Sequence, residues 1–245
     1  MKKIVLIAIA FISVSAATAQ KATPSPKKKK NFDAVMTRAG DHIMLQLSSD
    51  HWMGAPDSIN NHIKPLSRGG NIYVMIDKPF KGNPHISAAF GIGVATSAIF
   101  FKNMAVGVTS LTSYLPFYNQ DTTAHFKKYK LNTAFLEVPV ELRFSSDPIN
   151  DNKSFKVALG VKVGTLLNAH TKGKTPLDKN GTATNAYTEK ETSKRFINST
   201  RLMATARIGY GHYSLFGSYQ INSVFKTGTA ADVKLLQVGL TISGL

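Results

Sequence analysis

Leu131-Asn132-Thr133-Ala134-Phe135-Leu136-Glu137-Val138-Pro139-Val140-Glu141-Leu142-Arg143-Phe144-Ser145 is the stretch that decides how this chain folds. At alternate positions, Asn132, Ala134, Leu136, Val138, Val140, Leu142 and Phe144 form one face. Thr133, Phe135, Glu137, Pro139, Glu141 and Arg143 form the other. Period two is the mark of a β-strand. The charges stand mid-strand and share one face. A soluble barrel or lipocalin-like carrier would turn its charges outward and fill its interior with Leu and Val. A membrane barrel shows apolar residues to lipid and polar or small ones to the lumen, because a charge on the lipid face costs about 2–4 kcal/mol at the midplane. The stretch also exceeds the usual strand of about five or six residues and matches the roughly 9–11 needed to cross a bilayer at barrel tilt.

The same pattern recurs on both sides. Residues 154–170 set Phe155, Val157, Leu159, Val161 and Val163 against Lys156, Ala158, Gly160, Lys162 and Gly164. Residues 200–210 set Leu202, Ala204, Ala206 and Ile208 against Arg201, Met203, Thr205 and Arg207. Eight strands are predicted, at about 42–50, 70–79, 85–101, 131–146, 154–171, 197–210, 213–222 and 234–244. An even count closes an antiparallel barrel and leaves no exposed edge. The fold class is all-β, an eight-stranded antiparallel up-and-down transmembrane β-barrel. Its interior is just wide enough for side chains to fill.

The chain opens as an exported protein does. Lys2 and Lys3 precede an apolar run over residues 4–14, and Ala17-Thr18-Ala19 fits a small-x-small cleavage site, so residues 1–19 read as a signal peptide. The run is too short for a spanning helix, which needs roughly 20 apolar residues. With no cysteine in the sequence there is neither a lipid-anchoring thiol nor a disulfide. Residues 20–39 read as a disordered basic leader around Lys27–Lys30, and residues 40–245 as the barrel domain. The net charge is +16. Such a balance can attract nucleic acid, but export removes that partner and leaves anionic lipid headgroups or solvent.

Connections at about 51–69, 102–130, 172–196 and 211–212 are expected on the outer side, and those at 80–84, 147–153 and 223–233 on the inner side. Tyr73, Tyr114, Phe117, Tyr118, Tyr129, Phe144, Tyr210, Tyr213 and Tyr219 are expected to form interfacial girdles.

Three groups of residues are candidates for function. Glu137, Glu141, Arg143, Lys156, Lys162, Arg201 and Arg207 would form a lumenal charge network of five cations and two carboxylates. The network would hold strand register or, as the alternative, line a narrow anion-preferring path. Leu111, Tyr114, Leu115, Phe117 and Tyr118 make the 102–130 connection unusually apolar, a possible contact surface for a partner. His170 with Ser193 or Ser199 and Glu189 or Glu191 could converge at one rim, as a lipid-acting barrel enzyme would require. Their spacing is not diagnostic, and no catalytic residue, metal site or cofactor is assigned. Gly91-Ile92-Gly93 and Gly160 through Gly164 lie within strands, where they relieve crowding in a narrow lumen and have no following helix to cradle a phosphate.

Several segments resemble a known family: Gly54-Ala55-Pro56-Asp57, the run Phe135 through Arg143, Gly160-Val161-Lys162-Val163-Gly164 leading to Asn168-Ala169-His170-Thr171-Lys172, Arg207 through Gly211, and Ile242 through Leu245. Together they are similar to the outer-membrane β-barrel proteins of Bacteroidetes, the PorT-like family within the OmpA/OmpX-like class. The resemblance implies an integral protein of the cell outer membrane; one namesake of the family takes part in secretion, but most relatives have no assigned activity, so secretion is not carried over to this chain. Outer-membrane lipid is the expected partner, with other envelope or secretion-machinery proteins as candidates. It carries no catalytic residue over to this chain.

Overall fold

The computed structural model describes residues 43–244; the signal peptide (1–19) and basic leader (20–39) expected from the sequence lie outside the described residues. The strands are β1 (Ile43–Met53), β2 (Arg68–Phe80), β3 (Asn83–Phe101), β4 (Met104–Val106), β5 (Phe117–Asn119), β6 (His125–Ser145), β7 (Phe155–Leu177), β8 (Thr188–Thr192), β9 (Thr200–Tyr210), β10 (Tyr213–Gln220) and β11 (Lys234–Ser243). Eight of them close a ring in the order β1-β2-β3-β6-β7-β9-β10-β11, every pair antiparallel. The seam joins β1 to β11, from Met44↔Ser243 to Met53↔Lys234. Closure leaves the spanning strands without an unpaired edge, which a lipid environment demands.

The outward face is apolar all round. Leu47, Ile72, Ile92, Val140, Leu159, Leu215 and Leu240 are exposed there, Leu159 by 61% and Leu240 by 60%. A monomeric soluble protein rarely shows contiguous apolar area beyond a few hundred Å². The polar residues point inward, so the outer surface is built for hydrocarbon.

Two rims differ sharply. Connections 81–82, 146–154 and 211–212 are short and share the rim where β1 begins; 54–67, 102–124, 178–199 and 221–233 are long and share the other. The expected assignment of 211–212 to the outer set and 223–233 to the inner set is therefore reversed. Each antiparallel strand ends at the rim opposite its predecessor, so the sixth connection must share a rim with the second and fourth. Short periplasmic turns and long extracellular loops place the long-loop rim outside the cell.

The barrel wall is also lopsided. β6 and β7 are 21 and 23 residues long, against 8 and 10 for β10 and β11. Segments 125–130 and 172–177, expected within loops, extend β6 and β7 as a ribbon above the apolar belt, and β8 pairs with β7 there. The lysines in these segments conceal an apolar face that continues the alternation.

The girdle is only partly aromatic as expected. Phe144, Tyr210 and Tyr213 stand outward at the periplasmic rim, whereas Tyr73, Phe117 and Tyr129 turn inward. Tyr73 is an odd-numbered residue of β2, and the odd-numbered residues there face the lumen.

Candidate functional site

The lumen has two levels. The lower one is ionic. Glu137 lies at its centre, 1% exposed. One carboxylate oxygen accepts from Arg201 Nε at 2.7 Å and also from Arg201 Nη2, and the other accepts from the Tyr73 hydroxyl. The Arg201 guanidinium also lies 4.1 Å from the Phe135 ring centroid. Both Arg201 donors thus share one oxygen, and these charge-assisted bonds are stronger than neutral ones. Glu141 Oε2 accepts from Arg143 Nε and Arg207 Nη2, each at 2.9 Å. Lys162, fully buried, donates to Gln46 Oε1 at 2.9 Å and sits over the Tyr73 and Phe216 rings.

Two carboxylates join this group that sequence reasoning did not single out. Asp50 accepts from Ser48, Ser97 and Gln237. Asp77 shares a cavity of about 50 Å³ at the periplasmic mouth with Arg143, Lys156 and Arg207. Five cations therefore meet four carboxylates on the lumenal faces, where two had been expected. Both residues lie at inward positions, but near strand ends, where the alternation gives way to Ser-Ser-Asp-His and Asp-Lys-Pro.

Glycine makes the packing possible. A Cβ at Gly93 would lie 2.5 Å from the Tyr73 ring, and one at Gly164 would lie 2.8 Å from Glu137 Cγ. Real Cβ atoms do not approach that closely, so these glycines let Tyr73 and Glu137 lie against the barrel wall.

The upper level is an apolar cap. Trp52 packs edge-on against Phe101 and Phe225 at 5.7 and 5.3 Å, and Phe117 packs against Phe225 at 6.2 Å. The Tyr129 hydroxyl accepts from Val106 N–H and donates to Val106 C=O, which ties the β4–β5 hairpin to the barrel wall. Backbone bonds join the long loops: Leu115 N–H to Thr229 C=O, Asn198 N–H to Val224 C=O, and Lys102 N–H to His62 C=O.

The expected contact surface divides here. Leu111 (88% exposed), Tyr114 and Tyr118 face solvent, but Leu115 is 1% exposed and Phe117 packs against the cap. Leu115 and Phe117 are thus cap residues, drawn in by the rings of Phe225 and Phe101. Beside Tyr118 a cleft of about 340 Å³ opens between the β4–β5 hairpin and the β6–β7–β8 ribbon, with Phe126, Glu189 and Glu191 in its wall.

The rim histidine is not part of a catalytic group with those glutamates. His170 faces outward, its ring bonded to Asn168 Oδ1 at 3.1 Å and Asn132 Nδ2 at 3.4 Å. Glu189 and Glu191 sit opposite Gly173 and Thr171, on the inward face of the ribbon. Among the described residues, no group of three or more His, Cys, Asp or Glu could hold a metal ion.

The family model for the outer membrane protein beta-barrel domain matches residues 31–226. The chain belongs to that family. This outer-membrane barrel accordingly resides in the outer membrane, with its apolar belt in lipid. No curated protein matches its sequence. Among solved structures, Ail, the attachment invasion locus protein of Yersinia pestis, crystallised in complex with the heparin analogue sucrose octasulfate, aligns with 84% of this chain and 98% of its own. Identity is 13% and the TM-score 0.36, a likeness that assigns no ligand here.

Proposed function

We propose that this outer-membrane barrel is a closed anchor that presents a rigid extracellular platform for docking an envelope or secretion-machinery protein. The observation that carries the reading is the cap. Four long connections fold over Trp52, Phe101 and Phe225 as one apolar unit, yet leave Leu111, Tyr114 and Tyr118 exposed, Tyr118 in the wall of an acid-lined cleft. Exposed aromatics on an ordered support suit protein contact, since little conformational freedom is lost on binding. The lumenal charges serve as a structural plug that fixes strand register.

Two observations support a plug over an anion path. The lumenal faces carry one uncompensated cation where three were expected, and apolar residues block the outer end. Planar-bilayer recording is expected to give no conductance above leak; anion-selective steps would restore the channel reading.

The docking reading is tested by photo-crosslinking in cells from positions 111 and 118. A discrete adduct, lost in a Leu111→Ser/Tyr114→Ser/Tyr118→Ser variant that still reaches the outer membrane folded, is the expected result. Adducts only with lipid, or none, would refute it.

A further inference from the structure

On the outer face of the tall side, cations gather without anions. Lys130 on β6 stands opposite Lys172 on β7, and Lys172 opposite Lys190 on β8; Lys128 stands opposite Lys174 one rung higher. Like charges directly across a ladder are destabilising. Here four of these lysines and Phe100 line one groove of about 220 Å³. Arg68 and Lys130 both lie over the Phe100 ring, at 5.6 and 5.4 Å from its centroid. None of the ion pairs among the described residues takes one of these cations. Burial and the neighbouring Lys172, Arg68 and Lys174 hold the Lys130 amine below its ordinary range. The arrangement costs stability until something negative enters it.

Height on the barrel says what that is. The apolar belt of β6 ends at Leu136 and Ala134, and that of β7 at Leu167. Lys130 lies four residues beyond Ala134, about 10 Å higher at the rise and tilt of barrel strands. Polar headgroups extend several Å beyond a hydrocarbon core about 30 Å thick, and lysine stems can bend toward that layer. The groove therefore opens sideways, at the level of the outer-leaflet headgroups. It is not aimed up into the medium.

We propose that the groove around Phe100, walled by Lys128, Lys130, Lys172 and Lys174 with Arg68 at its edge, binds the phosphate groups of a phosphorylated glycolipid of the outer leaflet. The ammonium groups meet the phosphates, and Phe100 lies against the sugar or upper acyl chain.

The test uses the folded protein in phosphatidylcholine bicelles doped with bis-phosphorylated lipid A or its dephosphorylated form, with retained lipid counted by native mass spectrometry. Lipid A is expected to remain bound and the dephosphorylated form to leave. Millimolar inorganic phosphate is expected not to displace it. Lys130→Gln/Lys172→Gln/Lys174→Gln is expected to weaken retention about 100-fold, roughly fivefold for each lysine near a charged headgroup. A matched triple, Lys179→Gln/Lys194→Gln/Lys226→Gln, is expected to leave it unchanged, and both variants are checked for the heat-modifiable migration of a folded barrel. Equal retention of the dephosphorylated lipid, or undiminished retention by the groove variant, would overturn the proposal. Displacement by inorganic phosphate would overturn it in favour of a soluble anion.

Discussion

Removing the Glu137 carboxylate should be among the most damaging single changes in the barrel. Glu137 and Arg201 are each 1% exposed, and Arg201 places two donors on one carboxylate oxygen while Tyr73 donates to the other. Glu137→Ala would leave a buried guanidinium without its partner, a cost of about 3–5 kcal/mol, and strand the Tyr73 hydroxyl, which adds about 1–3 kcal/mol where no other acceptor is reached. The two penalties overlap, so a loss of about 4 kcal/mol is expected, close to a thousandfold in the folded ratio. At a urea slope of about 2 kcal/mol/M, the unfolding midpoint should fall by about 2 M. The assay is urea titration in lipid, with folded protein read as the fast-migrating unboiled band on detergent gels. A companion variant, Glu137→Leu/Arg201→Leu/Tyr73→Phe, removes every polar member and should cost far less than Glu137→Ala, since replacing a buried ion pair with apolar groups is often near neutral. A cost below about 1 kcal/mol for Glu137→Ala, or a triple variant as costly as the single ones summed, would refute the reasoning.

Other sites give sharper contrasts. Val161→Arg puts a charge at mid-belt on the lipid face and should cost about 2–4 kcal/mol in the same titration, although Lys162 beside it is tolerated because it points into the lumen. Gly164→Ala should lower the midpoint as well, because its Cβ would meet Glu137 Cγ at 2.8 Å. Burial, and then Lys190, Lys130 and Lys172, hold the His170 imidazole below its ordinary value. Its neutral form is favoured in the folded state, so the stability it contributes is complete above about pH 6.5. That stability is lost as pH falls through the lowered folded value. The unfolding midpoint should drop between pH 8 and 5 by an amount that His170→Gln reduces and high salt shrinks.

The belt and the ionic interior were legible in residues 131–145 and 154–170, where strict alternation meets charges that lipid would exclude. Glu137, Glu141, Lys162 and Arg207 stand mid-strand, where parity alone orients a side chain, and Arg201, second in β9, keeps that parity. Asp50, Tyr73 and Asp77 were harder. Asp50 closed an expected strand that runs three residues further, Tyr73 resembled a girdle aromatic, and Asp77 lay at the end of an expected strand beside Lys78-Pro79, where no apolar alternation marks its face. Leu115 and Phe117 could not be told from Leu111 and Tyr118, because their burial depends on Phe225 and Thr229, more than a hundred residues away. The basic groove did leave a local signal. Lys128 and Lys130 alternate with Tyr129 and Leu131, as Lys172 and Lys174 do with Thr171 and Gly173, which continues the strand period past the membrane.

Site-directed spin labelling tests the central claim most directly, since the sequence contains no cysteine and single labels can be placed at will. Labels at the outward positions Val138, Val140 and Leu142, and at the lumenal positions Ser97, Thr205 and Ser218, would be exposed in turn to oxygen and to a water-soluble nickel complex. A lipid-facing belt around a filled lumen predicts strong oxygen broadening at the first three and little from either reagent at the others. Nickel reaching positions 138–142 would contradict the membrane barrel, and nickel reaching Ser97, Thr205 and Ser218 would contradict the plug.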